Sequence, residues 1–222
     1  MKRLLLVLLA SALLGLAGIT GTANAVPLAA TGLAVWGQDT PGDLSTAARQ
    51  QALPTSRALL TLLLGPAPVL AAGPITFNAA ANTVGSFLTP LTTNPCAGAC
   101  ATSTLSLVNF AHATLFEFTF TVASGGSLSL THDDGISLFN ATDTTFASNL
   151  IPGASAPTFS HVDTATLTAG SYVLFYESNN GLPEVLTSDF TAAAVPEPAS
   201  LTLLGSALVG LGWLGRRRRK TA

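Results

Sequence analysis

Positive charge is what this sequence has least of, once its two ends are set aside. The chain has 222 residues but only 9 lysines and arginines. Seven of those 9 lie at the ends, as Lys2, Arg3, Arg216, Arg217, Arg218, Arg219 and Lys220, leaving Arg49 and Arg57 for everything between. Of the 11 acids only Glu197 falls in an end, so the other 10 give the body a net charge of −8, against −2 for the whole chain. A body with no basic patch has nothing to set against phosphates, which excludes nucleic acid as a partner. An acidic surface suits divalent cations and solubility instead. Catalytic signatures are missing as well: there is no G-x-S-x-G elbow, no H-E-x-x-H and no P-loop. "GLGWLG" (Gly210, Gly212, Gly215) matches the dinucleotide-binding pattern by letter, but it lies in the apolar tail with no βαβ unit around it. His112 and His161 have no partner at a telling spacing, and Asn140-Ala141-Thr142 is a glycosylation sequon by letter only. Cysteine is nearly absent: Cys96 and Cys100 in "NPCAGAC" are the 2 in the chain. Two thiols alone make no zinc site, and three intervening residues depart from the C-x-x-C redox pattern.

What the ends contain explains where the charge went. "MKRLLLVLLASALLGLAGITGTANA" has a basic start, an apolar stretch and small residues at Ala23 and Ala25. That is a signal peptide over residues 1–25 with cleavage by signal peptidase after Ala25. In the oxidising compartment this implies, Cys96 and Cys100 form a disulfide. Its stabilisation is modest, because the closed loop is short. At the other end, Pro196 and Pro198 fix their own φ and push Val195 and Glu197 to extended conformations, so "VPEP" is stiff and non-helical. Ser200 caps the apolar run that follows, a helix of roughly 22 Å from Leu201 to Gly215 at about 1.5 Å per residue. That is shorter than the hydrocarbon core of about 30 Å, so the segment lodges in a bilayer only with thinning or snorkelling. Arg216 to Lys220 would hold that end on the cytoplasmic side.

"VPEP", a Leu/Gly-rich apolar segment and a terminal arginine cluster, in that order over residues 195–222, resemble the PEP-CTERM sorting signal of bacterial exported proteins. The resemblance implies an exosortase as processing partner, cutting at or near Val195, Pro196, Glu197 and Pro198. It also implies transient anchoring in the inner membrane, then release to the cell surface or beyond. It describes routing, not what the body does.

Within the body, residues 26–74 read as an irregular lead-in with one short helix, capped by Ser56 and stopped by Gly65, then a breaker-rich "PAPVLAAGP". From Ile75 the signal is β. In "LFEFTFTV", Phe116, Phe118, Phe120 and Val122 alternate with Glu117, Thr119 and Thr121, the period of a half-buried strand. "SLSLT", "GISLF", "TATLT", "SYVLFYE" and "EVLTSDF" follow, separated by Gly, Pro, Asn and Asp clusters. The expected fold is all-β, an antiparallel sandwich or jelly roll over residues 75–194, flanked by a signal helix and a sorting helix.

One constellation carries candidate chemistry. In "THDDGISLF", His132, Asp133 and Asp134 end an alternating strand, and Gly135 permits a sharp turn. Adjacent carboxylates repel, so aiming both at one place calls for a cation or hydrogen-bond donors. Calcium takes such oxygens, with Asn140 and Asp143 close in sequence as further candidates; a solvated Asp-Asp-Gly turn is the alternative. With only Arg49 and Arg57 to neutralise them, both carboxylates are expected at a strand junction near one end of the sandwich, at least partly exposed. "DDGISLF" and "LTAGSYVLFYESNNG", through Asp133, Asp134, Gly135, Ala169, Gly170, Tyr172, Tyr176 and Glu177, are similar to the protective-antigen type lectin-like domain of bacterial toxins and adhesins. That resemblance implies calcium on Asp133 and Asp134, often across a cis peptide.

Together these features describe a non-catalytic exported surface or matrix protein associated with exopolysaccharide. A calcium-assisted carbohydrate-binding module is the alternative, and a secreted hydrolase is disfavoured by the missing catalytic set. The intact mass of the exported protein is expected to lack Arg216 to Lys220. Replacing Pro196 and Pro198 with alanine is expected to trap the longer precursor, because the stiff extended segment could then join the helix. Recovery of the full C-terminus in the inner membrane would reduce the tail to a plain anchor.

Overall fold

The computed structural model describes residues 24–38, 61–79, 82–105, 113–151, 160–179, 181, 184–193 and 205–209. Its main unit, Asn24–Ala193, is an antiparallel sandwich of two five-stranded sheets. The strands are β1 (Ala25–Val26), β2 (Ala29–Gln38), β3 (Thr61–Pro74), β4 (Thr76–Ala79), β5 (Ala113–Val122) and β6 (Gly126–Asp133). They continue as β7 (Ile136–Asn140), β8 (His161–Leu167), β9 (Gly170–Ser178) and β10 (Glu184–Ala192). The first sheet runs β1-β10-β6-β8, with β4 also paired to β10; the second runs β3-β2-β5-β9-β7.

Alternation places the core. Phe116, Phe118 and Phe120 of β5 pack inward with Leu174 and Tyr176 of β9, towards Leu128, Leu130, Leu186 and Phe190 of the first sheet. The other face of the second sheet is buried too: Ala34, Trp36, Leu115, Phe139, Val173 and Phe175 form a second cluster, against which Phe146 packs. Two short helices link β4 to β5, α1 (Val84–Phe87) and α2 (Ala99–Thr102). Thr83 and Ser86 cap α1 reciprocally, Thr83 Oγ1 accepting from the Ser86 N–H and Ser86 Oγ from the Thr83 N–H, both at 3.3 Å. This fixes Phe87 in the core, with its ring 4.9 Å from Phe77, 5.0 Å from Phe116 and 5.6 Å from Tyr176. Cys96 and Cys100 are bonded at 2.08 Å and both are buried.

Two expectations fail in the first third of the body. Residues 61–74 are not the end of a helix followed by a connector; they form β3, on the edge of the second sheet. A run of leucines has no polar face to distinguish the two periods, and an edge strand tolerates Pro66 and Pro68. Nor is the lead-in outside the sandwich, since β1, β2 and β3 all belong to the sheets. β2 hides because both its faces are buried, which erases alternation. Gly32 breaks its pattern further, standing where an added Cβ would lie 2.5 Å from Thr119 Oγ1.

Ala25 pairs with Thr191 in β1, so cleavage after it leaves Val26 as the remaining residue of that strand. Ala23, the signal helix, Val195 to Pro198 and Arg216 to Lys220 lie outside the described residues. In the second unit residues 205–209 are helical, with Leu208 and Val209 exposed. Among the described residues no helix is long and apolar enough to cross a membrane.

Phe87→Ala is expected to cost about 3–5 kcal/mol, since the ring fills a site lined by three others. The readout is a lower urea midpoint with an unchanged slope; a loss under 1 kcal/mol would mean that α1 is a surface ornament.

Candidate functional site

The chain changes sheets between β6 and β7. β6 ends opposite β10, with Asp133 across from Val185, and β7 begins opposite β9, with Ile136 across from Tyr176. Asp133, Asp134 and Gly135 therefore make the crossing at one end of the sandwich. The Asp133–Asp134 peptide is cis. Gly135 hands the chain to the second sheet by accepting the Glu177 N–H at 2.9 Å.

Three side chains hold the crossing. His132, fully buried, spans from the Asp134 carbonyl oxygen at Nδ1 to Asp163 Oδ2, 2.9 Å from Nε2. The Tyr176 hydroxyl donates to the Asp133 carbonyl and stands 2.9 Å from Glu184 Oε2. The Asn179 N–H donates to Asp134 Oδ2 at 2.7 Å.

The expected exposure of the two aspartates is wrong: Asp133 is 6% and Asp134 1% exposed. Scarcity of basic residues argues for solvent as their partner, but Asp134 accepts the Asn179 N–H and Asp133 is buried. Glu177 and Glu184, both fully buried, stand nearby. Burial raises the Asp133 carboxyl, with His132 pulling it partly back. Burial, then the charges of Asp134 and Glu184, push Glu177 well above the ordinary carboxylate range. The Tyr176 phenol is driven well up by burial first, then by Glu184 and Asp134.

Of these residues, Asp133 and Asp134 are the ones that could hold a hard divalent cation. Asp133 Oδ1 and both Glu177 carboxylate oxygens are buried without a hydrogen-bond partner among the described residues, as is the Asn179 amide nitrogen. Turning that amide over would present its oxygen instead. Among the described residues no three His, Cys, Asp or Glu side chains converge to hold a metal. A cation at the crossing would thus take Asp133 and Asp134 and complete its shell with amide, backbone or water oxygens, as calcium does.

Asn140 and Asp143 are not part of this site. They lie at the far end of β7, where Asn140 Oδ1 accepts the Thr142 N–H at 2.9 Å. Asp143 accepts from the Ser148 N–H and the Thr145 hydroxyl, bonds that hold its carboxyl low. Both are spent on shaping their own loop. His161 is exposed on the edge strand, 3.9 Å from Asp163, and His112 lies outside the described residues. Sequence reading missed Asn179 and Glu184. Neither has local spacing to Asp133; only the pairing of β9 and β10 with their neighbours brings them there.

A family model of the PEP-CTERM protein-sorting motif matches residues 194–219. No curated protein matches the chain. Among solved structures, the PA14 sugar-binding domain from RTX adhesin shares 14% identity at a TM-score of 0.41, over 72% of this chain and 87% of that one. The PA14 domain of the antifreeze protein MpAFP shares 14% at 0.38, over 77% and 85%. The epithelial adhesin 9 A domain from Candida glabrata, solved in complex with Galb1-4GlcNAc, shares 11% at 0.37, over 76% and 86%.

The raised carboxyls fix a sign for stability. Between their unfolded values, 3.8 for Asp133 and 4.5 for Glu177, and their higher folded values, the native state binds more protons than the unfolded chain. Stability in chelator is therefore expected to be greatest at mildly acidic pH and to fall as pH rises towards neutrality. Thermal melts across that window measure it, and Glu177→Gln should flatten the slope; stability that climbs with pH would contradict the buried-acid picture.

Proposed function

We propose that the chain is an exported, non-catalytic surface or matrix protein, routed by its PEP-CTERM motif and cut there by an exosortase. Its sandwich holds one calcium ion at the Asp133–Asp134 crossing and meets exopolysaccharide. Signal peptidase and, before processing, the inner membrane are the other partners of its export. The observation that carries the calcium reading is the burial of Asp133 Oδ1 and the whole Glu177 carboxylate without a hydrogen-bond partner among the described residues. Leaving such groups bare costs roughly 1–3 kcal/mol each, and more when charged. A cation on Asp133 and Asp134 removes that cost for Asp133 Oδ1 and offsets the charge of Glu177 from a distance.

In this arrangement Asp133 and Asp134 are the charged ligands, and Asn179 supplies its amide oxygen. Glu177 and Glu184 add field without needing contact. His132 and Tyr176 hold the backbone carbonyls of Asp134 and Asp133, so the ligand carboxylates start from fixed positions. Bound calcium would supply the positive charge that the buried crossing lacks. Against catalysis stands burial: Asp134 is 1% and Glu177 0% exposed, so as a pair of acids they are out of reach of a glycosidic oxygen.

The test is a thermal melt of the exported protein with calcium and with chelator. At free calcium about a hundredfold above its dissociation constant the expected gain is roughly 2.7 kcal/mol, raising Tm by about 5–10 °C. Asp133→Asn/Asp134→Asn is expected to abolish the shift while leaving a cooperative transition. Superimposable wild-type curves across millimolar calcium would overturn the calcium reading; a shift that survives the double substitution would put the ion elsewhere.

A further inference from the structure

The outward face of the first sheet differs from an ordinary solvent-facing sheet. Leu128 and Leu130 of β6 point into the core, so Ser127, Ser129 and Thr131 point out. The register sets Thr187 and Asp189 of β10 beside Thr131 and Ser129, and Thr164 and Thr166 of β8 beside Ser129 and Ser127. Every position in this patch is exposed or half-buried; Asp189 is its one charge, and Val162 of β8, beside Thr131, is an exposed apolar side chain within it. Strands stand about 4.8 Å apart and successive outward residues about 6.8 Å along each strand, so the hydroxyls form a regular grid that follows the twist of the sheet.

On the outer face of the second sheet neighbouring hydroxyls bond to each other, Thr31 with Thr119 at 3.2 Å and Thr121 with Ser171 at 2.9 Å. The grid of the first sheet has no such pairing among the described residues, which leaves its donors and acceptors to whatever lies against it.

We infer that this grid is a second contact surface, for an extended chain of a neutral polysaccharide. Charge decides the class: a face with one carboxylate on a body of net charge −8 repels anionic polymers and has no cation to hold them. Spacing agrees, because rows of hydroxyls on an open sheet face meet a ribbon of hydroxyls with repeated donor–acceptor pairs. Continuity agrees too. Asp133 follows Thr131 on the same side of β6, so the grid runs into the crossing that holds the carboxylates. The inference rests on the proposed contact with polysaccharide, but not on calcium.

The experiment is affinity electrophoresis of the exported protein in gels cast with hydroxyethylcellulose or with polygalacturonate. The wild type is expected to be retarded by the neutral polymer and not by the anionic one. Thr131→Val/Thr164→Val/Thr187→Val keeps β-branched shape and removes three hydroxyls. It is expected to weaken retardation at least tenfold while leaving Tm and the calcium response unchanged. No retardation of the wild type in the neutral gel, or equal retardation of the valine variant, would overturn the inference. So would a wild-type dimer that the valine variant loses in sedimentation, since a second copy would then cover the face. Retardation lost in Asp133→Asn/Asp134→Asn but kept in the valine variant would move the sugar to the crossing, against the grid. Retardation by the grid with no calcium response would sink the calcium reading alone.

Discussion

Four carboxyl groups gather where the chain passes from one sheet to the other, and no described residue is a lysine or arginine. Asp133, Asp134, Glu177 and Glu184 are all at least nine-tenths buried. Like charges in a poorly solvated place either take up protons, accept donated hydrogen bonds or gather round a cation. The rest of the sandwich reads as a frame for that choice. The end of β6 delivers the two aspartates, β9 delivers Glu177 and, just past its end, Asn179, and β10 delivers Glu184.

The frame is rigid because its packing is aromatic. Tyr176 faces the core with its ring, 5.6 Å from Phe87 and 5.9 Å from Phe116, and reaches the crossing with its hydroxyl. One side chain thus ties the position of the Asp133 carbonyl to the tightest part of the core. His132 does the same from the first sheet, anchored to Asp163 on the edge strand. Displacement of the crossing would have to break both ties. The calcium proposed for this place would relieve the burden of the buried acids rather than create a site from nothing.

How far the sequence was legible follows from what each segment buries. β6 buries one face, and β5 alternates Phe116, Phe118 and Phe120 with polar Glu117, Thr119 and Thr121, so both announce themselves by alternation. β2 buries both faces and β3 mixes leucines with prolines, so neither shows a period, and by sequence the lead-in reads as irregular chain and helix. "HDDG" was legible as a crossing because adjacent acids beside a glycine rarely serve a strand interior. The aspartates' burial was not, since counting basic residues ignores donors such as the Asn179 N–H. Asn140 and Asp143 seemed near because sequence distance says nothing about the two ends of β7. Asn179 and Glu184 could be found only through strand register, which is a property of the sheet.

The most direct test of the central claim is calorimetric titration of calcium into the exported, calcium-stripped protein, repeated in two buffers of different ionisation enthalpy. The account predicts one ion per chain, and a buffer-dependent heat showing protons released from the raised carboxyls as the cation enters. Absence of binding, or binding with no proton release at mildly acidic pH, would contradict it.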